Sequence, residues 1–469
     1  MATTSVDAPV AVPESTRMTS RQRLVLSLLL GSQFMLSVDF SILNVALPDI
    51  GKGLGFSLAN LQWISTAMML PSAGFTLLFG RLADLAGRRR MLLLGMALLA
   101  AGSFVGGIAN GPAVLLVARV AQGLACALAT PAALSLLTTT LPEGPLRDKA
   151  LGLNGMLLSA GFCVGAIFGG VLTDLLSWRW AFFINVPVAA AILLAAPAVI
   201  PESRGERTKL DVPGAVTVTG GLLALVYGVT EAGQHGWTDP VALATIAAAV
   251  VLLGAFWLIE LRAKAPLAPV RVLTRQTVKW GNFAGLITFT MESSVIFLLT
   301  LYLQEVFGYT PLQTGLAFCG IGVAAFLGGL YAPKLIGRYS NRLVLGSGML
   351  LQAVATSALF LAGHGGGGAL AVMLAASSAG AFGHISAVVG YMVTATSGLP
   401  DGEQGLATGL ASMTQQVGIT MGIPVLSSIA TARMNATGST LAGIHTALLV
   451  DASIVLIGSI LVSTGLRRR

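Results

Sequence analysis

Short charged segments divide the chain into fourteen long apolar runs, and that division limits every other reading of it. The runs lie at approximately 24–47, 58–79, 91–109, 113–138, 151–175, 181–200, 213–232, 241–260, 280–304, 312–335, 342–362, 367–392, 405–430 and 443–465. A helix needs about 20 apolar residues to cross a bilayer, and irregular backbone cannot face lipid. Each run is therefore expected to cross as one helix, giving an all-α polytopic membrane protein. The seventh, "GAVTVTGGLLALVYGVTE", carries the weakest signal because glycine and threonine dilute it. Composition agrees: 10% of residues are charged, against about 25% in soluble domains. So few charges cannot cover a water-facing surface.

Charge placement tests the count. An even number of spans puts both termini on one side, and the loops then alternate. With the N-terminus inside, 23 of the 27 Lys and Arg residues fall on the inner side. Only Lys52, Arg179 and Arg433 fall outside, and Arg119 lies within a span. This is the asymmetry of the positive-inside rule, and one span more or fewer would scramble it. The net charge of +8 is thus topological and is no nucleic-acid footprint. Residues 1–20 are polar and proline-bearing, lack the apolar stretch of a secretory leader, and are expected to form a disordered cytoplasmic tail. Cys126, Cys163 and Cys319 sit in apolar runs, with neither a disulfide framework nor metal spacing. No phosphate-binding G-x-x-x-x-G-K-[ST] loop occurs, so ion or substrate gradients are left as the energy source and no cofactor is expected.

One loop carries more than topology requires. "GRLADLAGRRR", residues 80–90 between the second and third runs, holds four arginines, one aspartate and two glycines. A topogenic signal needs neither the aspartate nor glycines at fixed offsets. Gly80, Asp84 and Gly87 leave a tight turn that can bring Asp84 and the arginines against neighbouring helix ends.

This loop is similar to G-x-L-a-D-r-x-G-R-[RK], the loop 2/3 motif of the major facilitator superfamily, matching at Gly80, Asp84, Gly87, Arg88 and Arg89, with Leu85 where a basic residue is usual. "VDFSILNVALPDI" in the first run resembles l-D-x-T-i-v-N-V-A-L-P, with Asp39, Asn44 and Pro48 in place and Ser41 for threonine. "RVAQGLACA" resembles R-x-x-Q-G-x-g-x-A, "SWRWAFFINVP" resembles W-R-w-x-F-x-I-N-x-P, and "LYLQEVFGYTPLQTG" matches the end of the ninth run. Five motifs in order across nearly the whole chain make it resemble the fourteen-span drug:proton antiporters of that superfamily. The resemblance implies two six-helix halves, 21–200 and 266–469, about a central cavity, with a linker and two inserted helices over 201–265. "PKLIGRYSNR" (333–342) echoes the loop in the second half, with Lys334 in place of Asp84.

Candidate coupling residues follow from cost. An ionised group at mid-helix costs about 2.5–3.5 kcal/mol, and burial can raise a carboxyl pKa by about 3–5 units, so buried carboxyls are natural proton carriers. Asp39 qualifies; it is either a polar helix contact or, as the resemblance implies, a proton-coupling group. It does not share the face of Gln33, Ser37 and Asn44 on a helical wheel. Glu292, in "TFTMESSVIF", reads as the deepest acid, with Thr288 one turn earlier. Arg119 either snorkels or, by the resemblance, takes part in proton transfer beside Gln122. His384, Gln415 and Gln416 are candidate cavity polar groups. In "GFCVGAIFGG", Gly161, Gly165 and Gly169, followed by Gly170, make a groove for close helix packing. It resembles the antiporter motif G-x-x-x-G-P-x-x-G-G, with Ala166 replacing the proline.

The residues and the resemblance together lead to a proton-coupled exporter of small hydrophobic or cationic compounds, with the lipid bilayer, a small-molecule substrate and protons as its partners, working as a monomer. The alternative is a proton-driven importer or a facilitator of a polar solute. A polytopic membrane enzyme would need a clustered catalytic constellation, whereas the four histidines are scattered. A membrane sensor would need a soluble output domain, for which no segment is long enough.

Overall fold

A computed structural model describes residues 18–57, 60–141, 145–204, 211–263, 266, 270–363, 366–397 and 401–467. Most of the expected N-terminal tail lies outside them, and Ser20 already belongs to the first helix.

Fourteen helices match the fourteen runs. They are α1 (Ser20–Leu54), α2 (Gln62–Ala86), α3 (Arg88–Gly107), α4 (Pro112–Thr140), α5 (Pro145–Leu175) and α6 (Trp180–Val199). Then come α7 (Val212–His235), α8 (Pro240–Glu260), α9 (Gln276–Leu301), α10 (Pro311–Arg338), α11 (Asn341–Ala358), α12 (Gly367–Thr396), α13 (Asp401–Thr437) and α14 (Thr440–Gly465). Among the described residues, thirteen are long and apolar enough to cross a membrane, while α5 contributes the shorter apolar stretch Ala160–Leu175. The dilute seventh run does form a helix, α7. The protein is a multi-pass membrane protein.

Helix ends follow local chemistry. Thr19 and Gln22 form a reciprocal capping box at the start of α1, and Thr310 and Gln313 do the same for α10. Asp239 accepts from the backbone N–H groups of Val241 and Ala242, both at 2.9 Å, at the start of α8. Gly55 (φ 77°) ends α1, and Gly438 (φ 67°) makes the turn between α13 and α14, conformations glycine adopts without a Cβ penalty.

The face holding both helical termini is called here the terminal face, and the opposite one the far face. In chain order, helices α1–α6 are the first half of the spans and α9–α14 the second, with α7 and α8 between them. Within the halves, α1 packs on α5, α3 on α4, α9 on α13 and α11 on α12. The inserted pair α7 and α8 pack on each other, and α7 also lies against α2 and α13. Thr219 on α7 donates to the Gly74 carbonyl of α2 at 2.8 Å. Helix α8 is outermost, with 11% of its most apolar window buried inside the protein.

The halves meet from mid-helix to the far face. Gln416 of α13 donates to Ser72 of α2 at 2.8 Å, and Thr420 to the Met69 carbonyl at 3.1 Å. Ser427 hydrogen-bonds Gln62 nearer the far face. Gln304, in the π-helical turn Tyr302–Val306 that continues α9, donates to the Val45 carbonyl at 2.9 Å, and Lys52 pairs with Glu305 at 3.5 Å. Among the described residues, these polar contacts between halves leave the far face closed.

Candidate functional site

A buried polar node fills the first half. Asp39 of α1 is 0% exposed and Arg119 of α4 is 1% exposed. Arg119 NH1 lies 3.6 Å from Asp39 Oδ2. The other carboxylate oxygen, Oδ1, accepts from Gln122 Nε2 at 3.0 Å and from Asn185 Nδ2 of α6. Both amides also donate to Ser103 Oγ of α3, at 2.9 and 3.0 Å. Arg119 is held in turn by the Ile64 carbonyl of α2 at 2.9 Å and by Gln122 Oε1 at 2.8 Å. Helices α4 and α6 therefore meet the carboxylate of α1 directly, and α2 and α3 hold the groups that do. Two apolar-half charges out of water are costly unless paired and hydrogen-bonded, and here both conditions are met. Asp39 Oδ2 and Asn185 Oδ1 have no hydrogen-bond partner, so Oδ2 is the carboxylate oxygen at which a proton can be added without breaking a hydrogen bond.

The structure joins Asp39 of α1 to Arg119 and Gln122 of α4, which sequence reading had linked to each other and not to Asp39. Gln33 and Asn44 turn elsewhere. Gln33 donates to the Thr130 carbonyl at 3.1 Å and Asn44 to the Phe40 carbonyl of its own helix at 3.2 Å. Asn185 and Ser103 were not singled out. Asn185 was visible in "FFINVP", where a polar residue follows an apolar run, whereas nothing in the run of α3 marks Ser103.

The second half carries its own polar cluster. Gln352 of α11 donates to Glu292 of α9 at 3.4 Å and to the Thr288 carbonyl at 3.3 Å. His384 of α12 stands edge-on to Phe289, with ring centroids 5.3 Å apart. Asp451 of α14 is 0% exposed. Asp451 was not among the acids read from the sequence, where its apolar context "LLVDASIV" masked it, and it is more fully buried than Glu292. Gln415 is half-buried, next to the Gln416 that bridges to Ser72.

The 80–90 loop docks at the terminal face. Gly87 (φ 120°) ends α2, and a Cβ there would lie 2.8 Å from the Glu202 carboxyl. Arg89 donates its backbone N–H to Glu202 Oε1 at 3.0 Å and its side chain to the Pro197 and Ile200 carbonyls at 3.2 and 3.0 Å. These carbonyls end α6, where a cation also meets the negative end of the helix dipole. Asp84 pairs with Arg88 at 2.8 Å, four residues on. The arginines thus reach a neighbouring helix end as expected. Asp84 does not, because Arg88 is within reach first; Glu202 makes that link instead. Gly80 lies against Pro131 of α4 at ordinary contact distance.

The glycine groove faces α1. A Cβ on Gly161, Gly165 or Gly169 would lie 2.9, 2.7 or 2.4 Å from the carbonyls of Phe34, Val38 and Ile42. Gly170 points to the other half, where its Cβ would sit 2.6 Å from the Pro311 carbonyl of α10. Gly315 meets the Ala166 carbonyl at 2.5 Å in the same way.

The family model of the Major Facilitator Superfamily matches residues 29–423. The chain belongs to this superfamily. Relatives within it include a cephamycin export protein of Amycolatopsis lactamdurans, 35% identical over 424 residues, which are 88% of this chain and 86% of that protein. A puromycin resistance protein of Streptomyces alboniger is 36% identical over 413 residues, covering 87% and 81% respectively. Two solved superfamily structures share the fold at low identity. The human organic anion transporter MFSD10 is 17% identical with a TM-score of 0.63, over 95% of this chain and 100% of that one. The POT family transporter PepTSo is 14% identical with a TM-score of 0.71, over 96% and 98%. In this facilitator-superfamily chain the Asp39 node lies wholly within one half, and the Glu292 cluster wholly within the other.

Proposed function

We propose that the protein is a secondary transporter of the cytoplasmic membrane that exports small hydrophobic or cationic compounds, antibiotics among them, in exchange for protons. The observation that carries this reading is the fully buried Asp39–Arg119 pair, in a chain whose relatives over most of their length are export and resistance proteins. Relatives named for cephamycin and puromycin share a task more than a substrate shape, which fits a site of broad apolar character.

With both termini in the cytoplasm, as the distribution of Lys and Arg favours, the far face is the outside. Closed there, the halves are in an inward-facing arrangement. A proton arriving at Asp39 Oδ2 in the outward-facing state neutralises the carboxylate and removes its attraction for Arg119. Helices α1 and α4 are then free to shift, and the change is passed to the cavity between the halves. The 80–90 loop acts as a latch: Arg89 and Glu202 hold the α2–α3 turn against α6, and the terminal-face ends separate or meet as the halves rock. The working unit is one chain.

Proton release from acidified, everted membrane vesicles tests the reading. Hydrophobic cations and apolar antibiotics are expected to evoke proton efflux from vesicles holding the native protein and not from those holding Asp39→Asn. No response to any compound, in vesicles shown to contain folded protein, would sink it and bring forward the facilitator of a polar solute.

A further inference from the structure

We propose that Glu292 and Asp451 form a second proton-holding carboxyl pair, in the opposite half from Asp39. It rests on the antiport reading above for its role in the cycle, though not for its existence. The two carboxyls come from α9 and α14, which run in opposite directions and pack against each other with Gly458 on Ile287, so that Glu292 and Asp451 both lie on the far-face side of that contact.

The cluster is short of donors. Asp451 is 0% exposed, and neither of its carboxylate oxygens has a hydrogen-bond partner. Gln352, also 0% exposed, spends its amide N–H groups on Glu292 and the Thr288 carbonyl, and its Oε1 is left without a partner. The Thr288 hydroxyl, 0% exposed, and His384 Nδ1 are likewise unpartnered. Buried polar groups are rarely left in this condition. Acceptors outnumber donors, and adding a proton to a carboxyl turns an acceptor into a donor. One added proton supplies an O–H that the neighbouring carboxylate or Gln352 Oε1 can accept.

No cation does that work. Among the described residues, no Lys or Arg acts on either carboxyl, and no group of three His, Cys, Asp or Glu is placed to hold a metal. The titratable groups on α12 are His384 and Tyr391, and the Tyr391 hydroxyl is committed to the Ala411 carbonyl at 2.5 Å. Helix α11 brings the neutral Gln352, and α13 meets α9 there through Gly418 and Gly422. A cavity beside Glu292, lined by Thr356 and Ser377, offers about 10 Å³ to the centre of a water molecule. That is room for about one water, enough to relay a proton and too little for a drug. Two carboxyls sharing a site cannot both ionise readily, so the pair retains a proton where the singly charged Asp39 node need not.

Infrared spectroscopy of the purified protein at neutral pH tests this, because a protonated carboxyl has a C=O stretch that a carboxylate lacks. The band is expected in the native protein, reduced in Glu292→Gln and in Asp451→Asn, and retained in Asp39→Asn. A native spectrum without the band overturns the proposal, as does a band untouched by both substitutions. A carboxylate spectrum that shifts on adding sodium assigns a metal cation instead and overturns it too. If the variants do not fold, native protein treated with dicyclohexylcarbodiimide, which adds to protonated buried carboxyls, is mapped by mass spectrometry. An adduct on Glu292 or Asp451 supports the pair, and adducts elsewhere alone overturn it. Failure of the vesicle experiment leaves both readouts intact, so the two readings fail separately.

Discussion

Arg119 NH1 stands 3.6 Å from Asp39 Oδ2, with 2% and 0% of the two side chains exposed, and this contact ties α4 to α1 inside one half of the protein. Removing one member leaves the other as an unpaired charge out of water, at a cost of about 3–5 kcal/mol. Arg119→Gln is therefore expected to lower the thermal unfolding midpoint sharply. The double variant Asp39→Asn/Arg119→Gln should regain much of the loss while remaining unable to exchange protons for substrate. Unfolding in detergent checks this, and a double variant as unstable as the single one would contradict the pairing.

The contact of α5 with α1 predicts a position-dependent cost for added methyls. A Cβ at Gly169 would press on the backbone of Ile42, which cannot step aside as a side-chain tip can. Gly169→Ala should destabilise by about 1–3 kcal/mol. Gly31→Ala, on α1, meets nothing within 4 Å and should be neutral or stabilising by up to about 1 kcal/mol. Equal melting temperatures for the two variants would show that the groove is not a close contact.

At the latch, Glu202 is bonded to the backbone of Arg89 and lies 3.8 Å from the side chains of both Arg89 and Arg90. These ion pairs are partly exposed, so Glu202→Gln should cost no more than about 1 kcal/mol of stability. Its effect should appear in turnover, lowered severalfold, and at least as far as in an Asp84→Asn variant. Initial rates of substrate-driven proton exchange decide the matter. A Glu202→Gln variant with native turnover would remove that residue from the latch.

Closure of the far face is open to a chemical test. Lys52 and Glu305 pair across the halves at 3.5 Å, with side chains 71% and 27% exposed. Cysteines at these two positions, joined by a short bismaleimide, should hold the halves together and stop transport, while each single cysteine variant treated alike keeps it. Full activity after quantitative cross-linking would mean that this edge does not part during the cycle.

The helices were legible because lipid imposes one rule on every span, a long apolar run, and several runs also begin or end at Gly, Pro or a capping Asp, Ser or Thr. The alternation of Lys and Arg supported a count of fourteen even where α7 was dilute. The glycine groove was legible for a similar reason, since a four-residue spacing fixes one helix face. Burial of Asp39 and Arg119 was readable too, from their place inside apolar runs. Their partnership was not readable, because it depends on how α1 and α4 are turned about their axes. Helix rotation is set by contacts with α3, α5 and α6, none of which is local in sequence. Asp451 was passed over for another reason: a single acid without a motif looks the same whether it meets lipid, a cavity or Glu292.

Gly169 and Gly170 are neighbours in the chain with opposite duties, one seated on α1 and the other on Pro311 of the facing half. Across that second contact, main chain lies on main chain at Gly170 and again at Gly315, with no side chain interposed. Interdigitated side chains act like gear teeth, which must disengage before surfaces can turn. At these two points the seam has no teeth, so α5 is expected to act as a bearing, clamped to its own half while the other turns against it.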